Sequence, residues 1–406
     1  MLNYGIFGMT QTNTMYGRIL RSRGCPVVAL GGRPAETDQL ETHCVDKHFF
    51  PQAFTSPQNH ATTLSAGKYN TFNQVLSTSI GCTQHQSLWS MVQEEKVSGI
   101  ILGGKQSLKD LLECFQSRDE YTQKNSNKSV SMAYKFIALD TSCLLFKDIH
   151  LLDDLISIYT KDISQAKEGQ PMKPIIVTYP LFFMRHDPVV RYTSAILEKA
   201  SGKLDSISLT HMSSNESAFS VQKPKALTSS EQGSLASGEC LHAVDQLRSF
   251  LKGDLPFAGT RIQSCQESSS QTRAVQFYTP SGIAGNVMVI PGYPLENLTL
   301  TFSGANGVVV SGEMSQSNER VLVDTWPARS ETTKDAFSRS FFLPVSKLAL
   351  VNRPPMEIRW SEALWGFLTS MQPKKQTIYQ VLNQSVEAII KLRDCMNLAK
   401  QLFLLE

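Results

Sequence analysis

A histidine and an aspartate three residues apart stand where acid/base chemistry is possible. His242 and Asp245 follow a segment that contains Gly233 and Gly238. On a helix, residues i and i+3 share one face, so the carboxylate can orient the imidazole or both groups can enter one pocket. Histidine is the natural proton donor or acceptor near neutral pH. The spacing predicts an acid/base pair, and the alternative is an aspartate that only caps the helix or pairs locally.

The first turn of the chain stands where a phosphate-binding turn would be. It follows the apolar run Tyr4–Phe7 and precedes residues with helical spacing. A dinucleotide-binding G-x-G-x-x-G motif would place its glycines at positions 8, 10 and 13. Here Gly8 is followed by Thr10 and Asn13, although hydroxyl and amide groups at a helix N-terminus can still donate to an anion. We predict that these three residues bind a cofactor, and the alternative is a turn that binds nothing.

The next strand ends at a residue that bears on the choice between NAD and NADP. It is followed by Gly31, Gly32 and Arg33. An acidic residue at this point would hydrogen-bond the adenosine ribose, whereas an arginine suits a 2′-phosphate. Arg33 therefore favours NADP over NAD if either is bound. The competing interpretation is a solvated arginine in a turn.

Strands and helical patterns alternate through the first third of the chain. The predicted strands are Tyr4–Phe7, Pro26–Leu30, Val97–Leu102 and Lys135–Leu139, and helix-spaced apolar residues lie between several of them. This alternation predicts βαβ units and a parallel sheet. The polar segment Gln116–Ser131 is predicted to be a surface loop or an extended helix end.

After a helix that begins near His150 and a strand near Pro174, strands dominate the sequence. They are predicted at Leu204–Leu209, Ala274–Tyr278, Gly285–Ile290, Leu298–Phe302, Gly307–Ser311 and Val321–Asp324, an arrangement typical of an antiparallel or mixed sheet. The Ser/Gln-rich segments Met212–Ser230 and Gln266–Thr272 are predicted mobile loops. Helices are predicted at Ser361–Met371 and Thr377–Leu404.

Composition restricts the class of protein. The 406 residues include 39 Lys+Arg and 36 Asp+Glu, a balance that disfavours nucleic-acid binding and attraction to a membrane surface. Neither the eight cysteines nor the eight histidines show metal-ligand spacing. The cysteines are expected to be reduced thiols, and no signal-peptide pattern opens the chain. We expect a cytoplasmic protein that has no metal and binds a small molecule.

These pieces occur in an order that resembles the glucose-fructose oxidoreductase/inositol dehydrogenase (Gfo/Idh/MocA) family. The resemblance covers nearly the whole chain and rests on the segments Gly8–Leu20, Val97–Leu102, Phe136–Leu139, Arg185–Pro188, Gly202–Asp205 and His242–Asp245. It implies an α/β fold with a Rossmann-type, dinucleotide-binding N-terminal domain (1–147). The C-terminal α/β domain (148–406) would bind substrate and form dimers or tetramers through an open, mostly antiparallel or mixed sheet. The implied activity is hydride transfer between NAD or NADP and a sugar, polyol, imine or related compound.

Three departures from the family pattern leave two functions open. The family's Glu-Lys-Pro lysine is absent, because this chain has Leu139-Asp140-Thr141-Ser142 there. Gly103-Gly104-Lys105 replaces the family's Thr-Pro-Asn segment, which places Gly103 among the cofactor-binding residues. The aspartate expected four residues before the family's catalytic histidine corresponds to Gly238. The chain is therefore either an NAD(P)-dependent oxidoreductase or a catalytically degenerate pseudo-oxidoreductase that acts as a ligand-binding or scaffolding protein.

Overall fold

The computed structural model contains a six-stranded and an eight-stranded sheet. It describes residues 3–8, 13, 16–17, 19–20, 24–32, 82–104, 106–125, 134–141, 144–167, 174–200, 203–214, 229–252, 263–265, 273–293, 297–304, 308–315, 319–325, 341–344, 355–370 and 377–403. Within these ranges, no helix combines the length and apolarity needed to cross a bilayer.

The first sheet is wholly parallel and has the order β3-β2-β1-β4-β5-β6. Its strands are β1 (Tyr4–Phe7), β2 (Val27–Gly31), β3 (Thr83–His85), β4 (Gly99–Leu102), β5 (Tyr134–Asp140) and β6 (Ile175–Leu181). β1 and β4 are buried along their whole length, as expected for strands covered on both faces. The predicted parallel sheet is confirmed. Strand order reverses between β1 and β4, and open α/β sheets bind ligands outside the carboxyl ends of the strands at such a point.

Helical residues follow β1 at positions 13, 16–17 and 19–20. Helices with described bounds follow three other strands of this sheet: α1 (Leu88–Gln93), α2 (Ser107–Lys124) and α3 (Ile149–Lys167). α2 extends into the polar segment predicted at Gln116–Ser131, so a loop is wrong for its first part and an extended helix end is right; residues 126–131 lie outside the described ranges. Arg118 on α2 forms a two-pronged ion pair with Asp162 on α3, at 2.6 and 3.1 Å. Both side chains are buried.

Two helices near the end of the sequence are α6 (Pro355–Ser370) and α7 (Ile378–Phe403). They confirm the two predicted C-terminal helices.

The molecule divides into a first unit, residues 1–181 with 363–394, and a second unit, residues 182–362 with 395–406. This boundary differs from the predicted one at residue 147, because β6 pairs with β5 along seven residues and completes the first sheet. A segment of α6 also returns to the first unit, where Phe367 contacts Tyr179 of β6 with ring centroids 6.1 Å apart.

The second unit contains α4 (Pro188–Ala200), α5 (Ser229–Leu251) and a sheet of order β14-β13-β12-β11-β7-β10-β9-β8. Its strands are β7 (Leu204–Ser214), β8 (Gln263–Cys265), β9 (Arg273–Tyr278), β10 (Ala284–Tyr293), β11 (Asn297–Gly304), β12 (Val308–Ser315), β13 (Glu319–Thr325) and β14 (Phe341–Pro344). β7 and β10 are parallel and the other pairs are antiparallel. The prediction of an antiparallel or mixed sheet is confirmed as mixed.

One face of this sheet forms the core of the second unit. Along β11, Leu298, Leu300 and Phe302 are buried, and the residues between them are half-buried. Phe302 contacts Phe250 of α5 with ring centroids 4.5 Å apart. A Cβ added at Gly312 would lie 2.5 Å from Thr193 Oγ1, so this glycine lets α4 approach β12 closely.

The predicted loops need correction at their ends. Met212 belongs to β7, which continues to Ser214, and α5 begins at Ser229. The ends of Met212–Ser230 are therefore strand and helix, because β7 continues its pairing with β10 and β11. Residues 215–228 and the whole of Gln266–Thr272 lie outside the described ranges.

Candidate functional site

The carboxyl ends of β1 and β4 meet closely at two glycines. Gly8 has a φ of 81°, a left-handed conformation that L side chains rarely adopt. A Cβ added there would also clash with the carbonyl oxygen of Gly103. Gly103 N donates to Phe7 O at 3.0 Å, and Gly8 N donates to Gly31 O at 2.9 Å. Glycine at position 8 is therefore required by both conformation and space.

Asn13 occupies the position of the motif's third glycine, and its side chain binds the end of β1. The residue is helical and fully buried. Its Nδ2 donates to Gly8 O at 2.6 Å and to Phe7 O at 3.3 Å. A Cβ added at Gly103 would lie 2.5 Å from the same Nδ2 atom. The carboxamide therefore fills the space beside Gly103.

The structure thus brings together three of the five predicted cofactor-binding residues, Gly8, Asn13 and Gly103. Thr10 and Arg33 lie outside the described ranges.

The segment in which the resemblance would place the family's lysine, Leu139–Ser142, contains a buried threonine and no lysine. Thr141 Oγ1 donates to Leu181 O at 2.7 Å, which ties the end of β5 to the end of β6. The preceding Asp140 is also fully buried. Tyr16, again fully buried, has a pKa raised by burial and by the charge of Asp140. Residues 139–141 therefore bring a carboxyl and a hydroxyl group to this edge, and neither replaces the positive charge of a lysine.

The predicted acid/base pair lies on α5 in the second unit. His242 is 2% exposed, and its ring centroid lies 4.3 Å from that of Phe183 and 6.4 Å from that of Phe182. Asp245, one turn further along α5, accepts a 2.5 Å hydrogen bond from Arg185 Nε on Oδ2 and a second bond from Arg185 Nη2 on Oδ1. Among the described residues the carboxylate pairs with this guanidinium and not with the imidazole.

Charges around Asp245 are mostly cationic. Burial raises the pKa of Asp245 above its usual range, while Arg185, Arg248 and a hydrogen bond from Cys395 oppose that shift. Burial, followed by the Asp245 charge, raises the pKa of the Cys395 thiol to about 12. Burial, helped by Arg191 and Arg185, lowers the pKa of His186 to about 4. At neutral pH this thiol is protonated and the His186 ring is neutral, so the guanidinium groups supply the positive charge.

Sequence reasoning identified Arg185 and Asp245 in separate motifs and missed that they pair. They are 60 residues apart in the chain. It also missed Phe182 and Phe183, which no spacing pattern marked. Within the described part of the chain, no group of His, Cys, Asp and Glu side chains could hold a metal ion.

No protein-family model matches the chain, and no curated protein matches its sequence. Solved structures do match its fold. An oxidoreductase from Thermotoga maritima aligns with a TM-score of 0.55 and 11% identity over 98% of this chain and 96% of its own. A 3-ketoreductase from Actinomadura kijaniata, solved with NADP and TDP-benzene, has a TM-score of 0.54 and 9% identity over 98% and 96%.

A myo-inositol dehydrogenase from Corynebacterium glutamicum has a TM-score of 0.53 and 11% identity over 99% and 96%. The chain has the fold of these dehydrogenases and reductases. The alignments include both sheets, since they cover nearly all of each chain. The fold class expected from the resemblance is therefore confirmed.

Proposed function

We propose that this chain is an NAD(P)-dependent oxidoreductase of the Gfo/Idh/MocA type that transfers hydride to or from a sugar, polyol, imine or related small molecule. The observation that carries the proposal is the glycine contact at the ends of β1 and β4. Gly8 and Gly103 let the ends of β1 and β4 approach each other closely where the strand order reverses. This is where a dinucleotide's pyrophosphate approaches in folds of this kind.

The residues present fit a nicotinamide dinucleotide at this edge. Gly8 has the conformation that the tight turn requires, and Asn13 draws the following helix onto β1 through Phe7 O and Gly8 O. The start of that helix is a favourable place for phosphate. Arg33 favours NADP, the cofactor present in the 3-ketoreductase structure, and NAD is the alternative. When bound, the nicotinamide would donate or accept the hydride.

We assign proton transfer to His242 and the orientation of its surroundings to Asp245. The imidazole is in contact with the Phe183 ring. Asp245, one turn away from His242 on α5, fixes the guanidinium of Arg185. A positioned acid/base group contributes about 10²–10⁴ in rate. Further parts of the proposal are a homodimer or homotetramer and a cytoplasmic location.

The buried Thr141 favours a second candidate function. Its hydroxyl is bonded to Leu181 O, and the segment Leu139–Ser142, where the resemblance would place the family's lysine, contains no cationic side chain. The alternative is a catalytically degenerate pseudo-oxidoreductase that binds a ligand or acts as a scaffold. Cofactor binding and turnover separate the two.

The first experiment is a titration of the full chain with NADPH and with NADH, followed by nicotinamide fluorescence and thermal unfolding. Ligand at ~100 times Kd should add roughly 2.7 kcal/mol to the free energy of unfolding. Gly103→Ala should weaken binding, because its Cβ would displace the Asn13 carboxamide. Gly366→Ala is the matched control, since its Cβ would lie 3.1 Å from Tyr179 Oη on β6. If neither cofactor changes melting or fluorescence at millimolar concentration, the oxidoreductase proposal fails.

The second experiment tests His242. On any substrate that the NADPH-loaded protein turns over, His242→Ala should lower kcat by about 10²–10⁴. His150→Ala, which alters an exposed histidine on α3, should leave kcat unchanged. Unchanged turnover in His242→Ala would remove this residue from the mechanism.

A further inference from the structure

Gln246 is a buried carboxamide whose oxygen has no hydrogen-bond donor. It follows Asp245 on α5, and the residue is 1% exposed. Its Oε1 is shielded from water and accepts no hydrogen bond from the described residues. Buried side-chain oxygens in folded proteins nearly always have a donor. Lys135 of this chain obeys that rule, because its buried Nζ donates to Glu94 O at 2.7 Å and to Val97 O at 2.5 Å. The unpaired oxygen of Gln246 is therefore an exception that needs a reason.

Gln246 lies next to the residue to which we assign proton transfer. His242 and Gln246 are four residues apart on α5, so they share one face of the helix. Long side chains on a helix lean towards its N-terminus and cover the preceding turn, which places the carboxamide of Gln246 over the turn of His242. Phe183, on the short 3₁₀ helix, contacts the same imidazole with ring centroids 4.3 Å apart. The carboxamide and the imidazole therefore bring polar groups to one region of the second unit.

The chemistry of this region favours a neutral hydroxyl group over an ammonium or iminium ion. The oxygen of a carboxamide accepts a hydrogen bond and its nitrogen donates, and a hydroxyl group can take part in both. A buried cation requires a carboxylate partner. The carboxylate beside Gln246 is Asp245, and both of its oxygens already accept hydrogen bonds from Arg185. The donor that suits Gln246 is therefore uncharged.

We propose that Gln246 is a specificity-determining residue, whose Oε1 accepts a hydrogen bond from a hydroxyl group of the ligand bound beside His242. The site then accepts sugars and polyols and rejects amines and iminium ions. A site that hydrogen-bonds a hydroxyl group rejects analogues that lack it, because its own polar group is then left buried and unpaired. That the ligand is a substrate rests on the proposed oxidoreductase function, but its binding does not.

The first test uses the full chain with neither ligand nor cofactor. Gln246→Met keeps the length of the side chain and removes the unpaired amide, so it should raise the melting temperature. Gln384→Met, which alters an exposed glutamine on α7, is the matched control and should leave the melting temperature unchanged. A lower melting temperature in Gln246→Met would show that the amide stabilises the fold, and the proposal would be wrong.

The second test compares the melting temperature in myo-inositol, glucose and glucosamine at equal concentration and about pH 6, where the amine is protonated. The general stabilisation of proteins by sugars acts equally on parent and variants. In the parent, myo-inositol or glucose should give a larger rise than glucosamine, and Gln246→Met should lose this difference. Gln246→Glu keeps the shape and adds a carboxylate, so it should reverse the order in favour of glucosamine.

Three outcomes of the second test would overturn the proposal. They are equal rises for the three probes in the parent, an unchanged difference between probes in Gln246→Met, and an unchanged order in Gln246→Glu. None of these measurements uses a cofactor, so their failure is distinct from a failure to bind NADPH.

Discussion

Two ion pairs of the same chemistry lie in the two units and differ in one respect. In the first unit Arg118 pairs with Asp162 and lies 4.7 Å from the Phe115 ring centroid. In the second unit Arg185 pairs with Asp245 and lies 4.4 Å from the Phe182 ring centroid. The Arg118 side chain is 1% exposed, however, and that of Arg185 is 44% exposed.

The two Arg–Asp pairs differ in how far the arginine depends on its carboxylate. Arg118 and Asp162 join α2 to α3 with both charges removed from water, so each depends on the other for compensation. Asp245 depends on Arg185 in the same way, but Arg185 can be solvated and does not depend on Asp245. The second pair is therefore asymmetric, because only its carboxylate is fully removed from water.

The largest expected effect comes from Asp162→Asn, which leaves a guanidinium buried without its main carboxylate. Arginine cannot neutralise itself by losing its proton. We expect the free energy of unfolding to fall by about 3–5 kcal/mol, towards the lower end because Asp119 also accepts from Arg118 at 2.9 and 3.0 Å. Urea denaturation measures the change. Asp153→Asn, which breaks an exposed pair with Arg393, is the control and should cost no more than about 1 kcal/mol.

A smaller effect is expected from the equivalent change in the second unit, Asp245→Asn. The half-exposed Arg185 can replace the lost carboxylate with water, and an amide is easier to bury than a charged carboxylate. We expect the free energy of unfolding at neutral pH to stay within about 1 kcal/mol of the parent. If urea denaturation shows a loss as large as that of Asp162→Asn, the proposed asymmetry between the two pairs is wrong.

The pH dependence of the same variant gives the finest test. Burial raises the folded-state pKa of Asp245 above 3.8. From pH 3.8 up to that raised value, the folded state retains a proton that the unfolded state has released, so stability falls as pH rises. Asp245→Asn lacks this titration. Unfolding measured from pH 3.5 upward should therefore show the parent losing stability relative to the variant, and parallel curves would contradict the prediction.

The sequence predicted the central strands well and missed three of the four edge strands of the two sheets. β1 begins and ends where the apolar run Tyr4–Phe7 predicted. The three strands not predicted are β3, β8 and β14, and each lies at the edge of a sheet. An edge strand can be short and polar, as Thr83–His85 is, so it carries neither an apolar run nor enough residues to show alternation.

The candidate site was predictable in its parts and not in its pairing. Gly8 and His242 were found because glycine turns and His-x-x-Asp spacing are local patterns. The bond between Arg185 and Asp245 joins the short 3₁₀ helix at Phe183–His186 to α5, and periodicity carries no information about such distant contacts. The same is true of the aromatic rings around His242.

The contact between Asn13 and Gly103 has a consequence for recognising distant relatives. A side chain at position 13 is accommodated because the residue that follows β4 has none. In the usual motif the small residue is the third glycine, at the start of the helix. In this chain the small residue is Gly103, which follows β4 about ninety residues further along the chain. A search template that tests the three turn glycines independently would reject such chains. A template that accepts asparagine at the third position whenever glycine follows the fourth strand would retain them, and the two positions should covary.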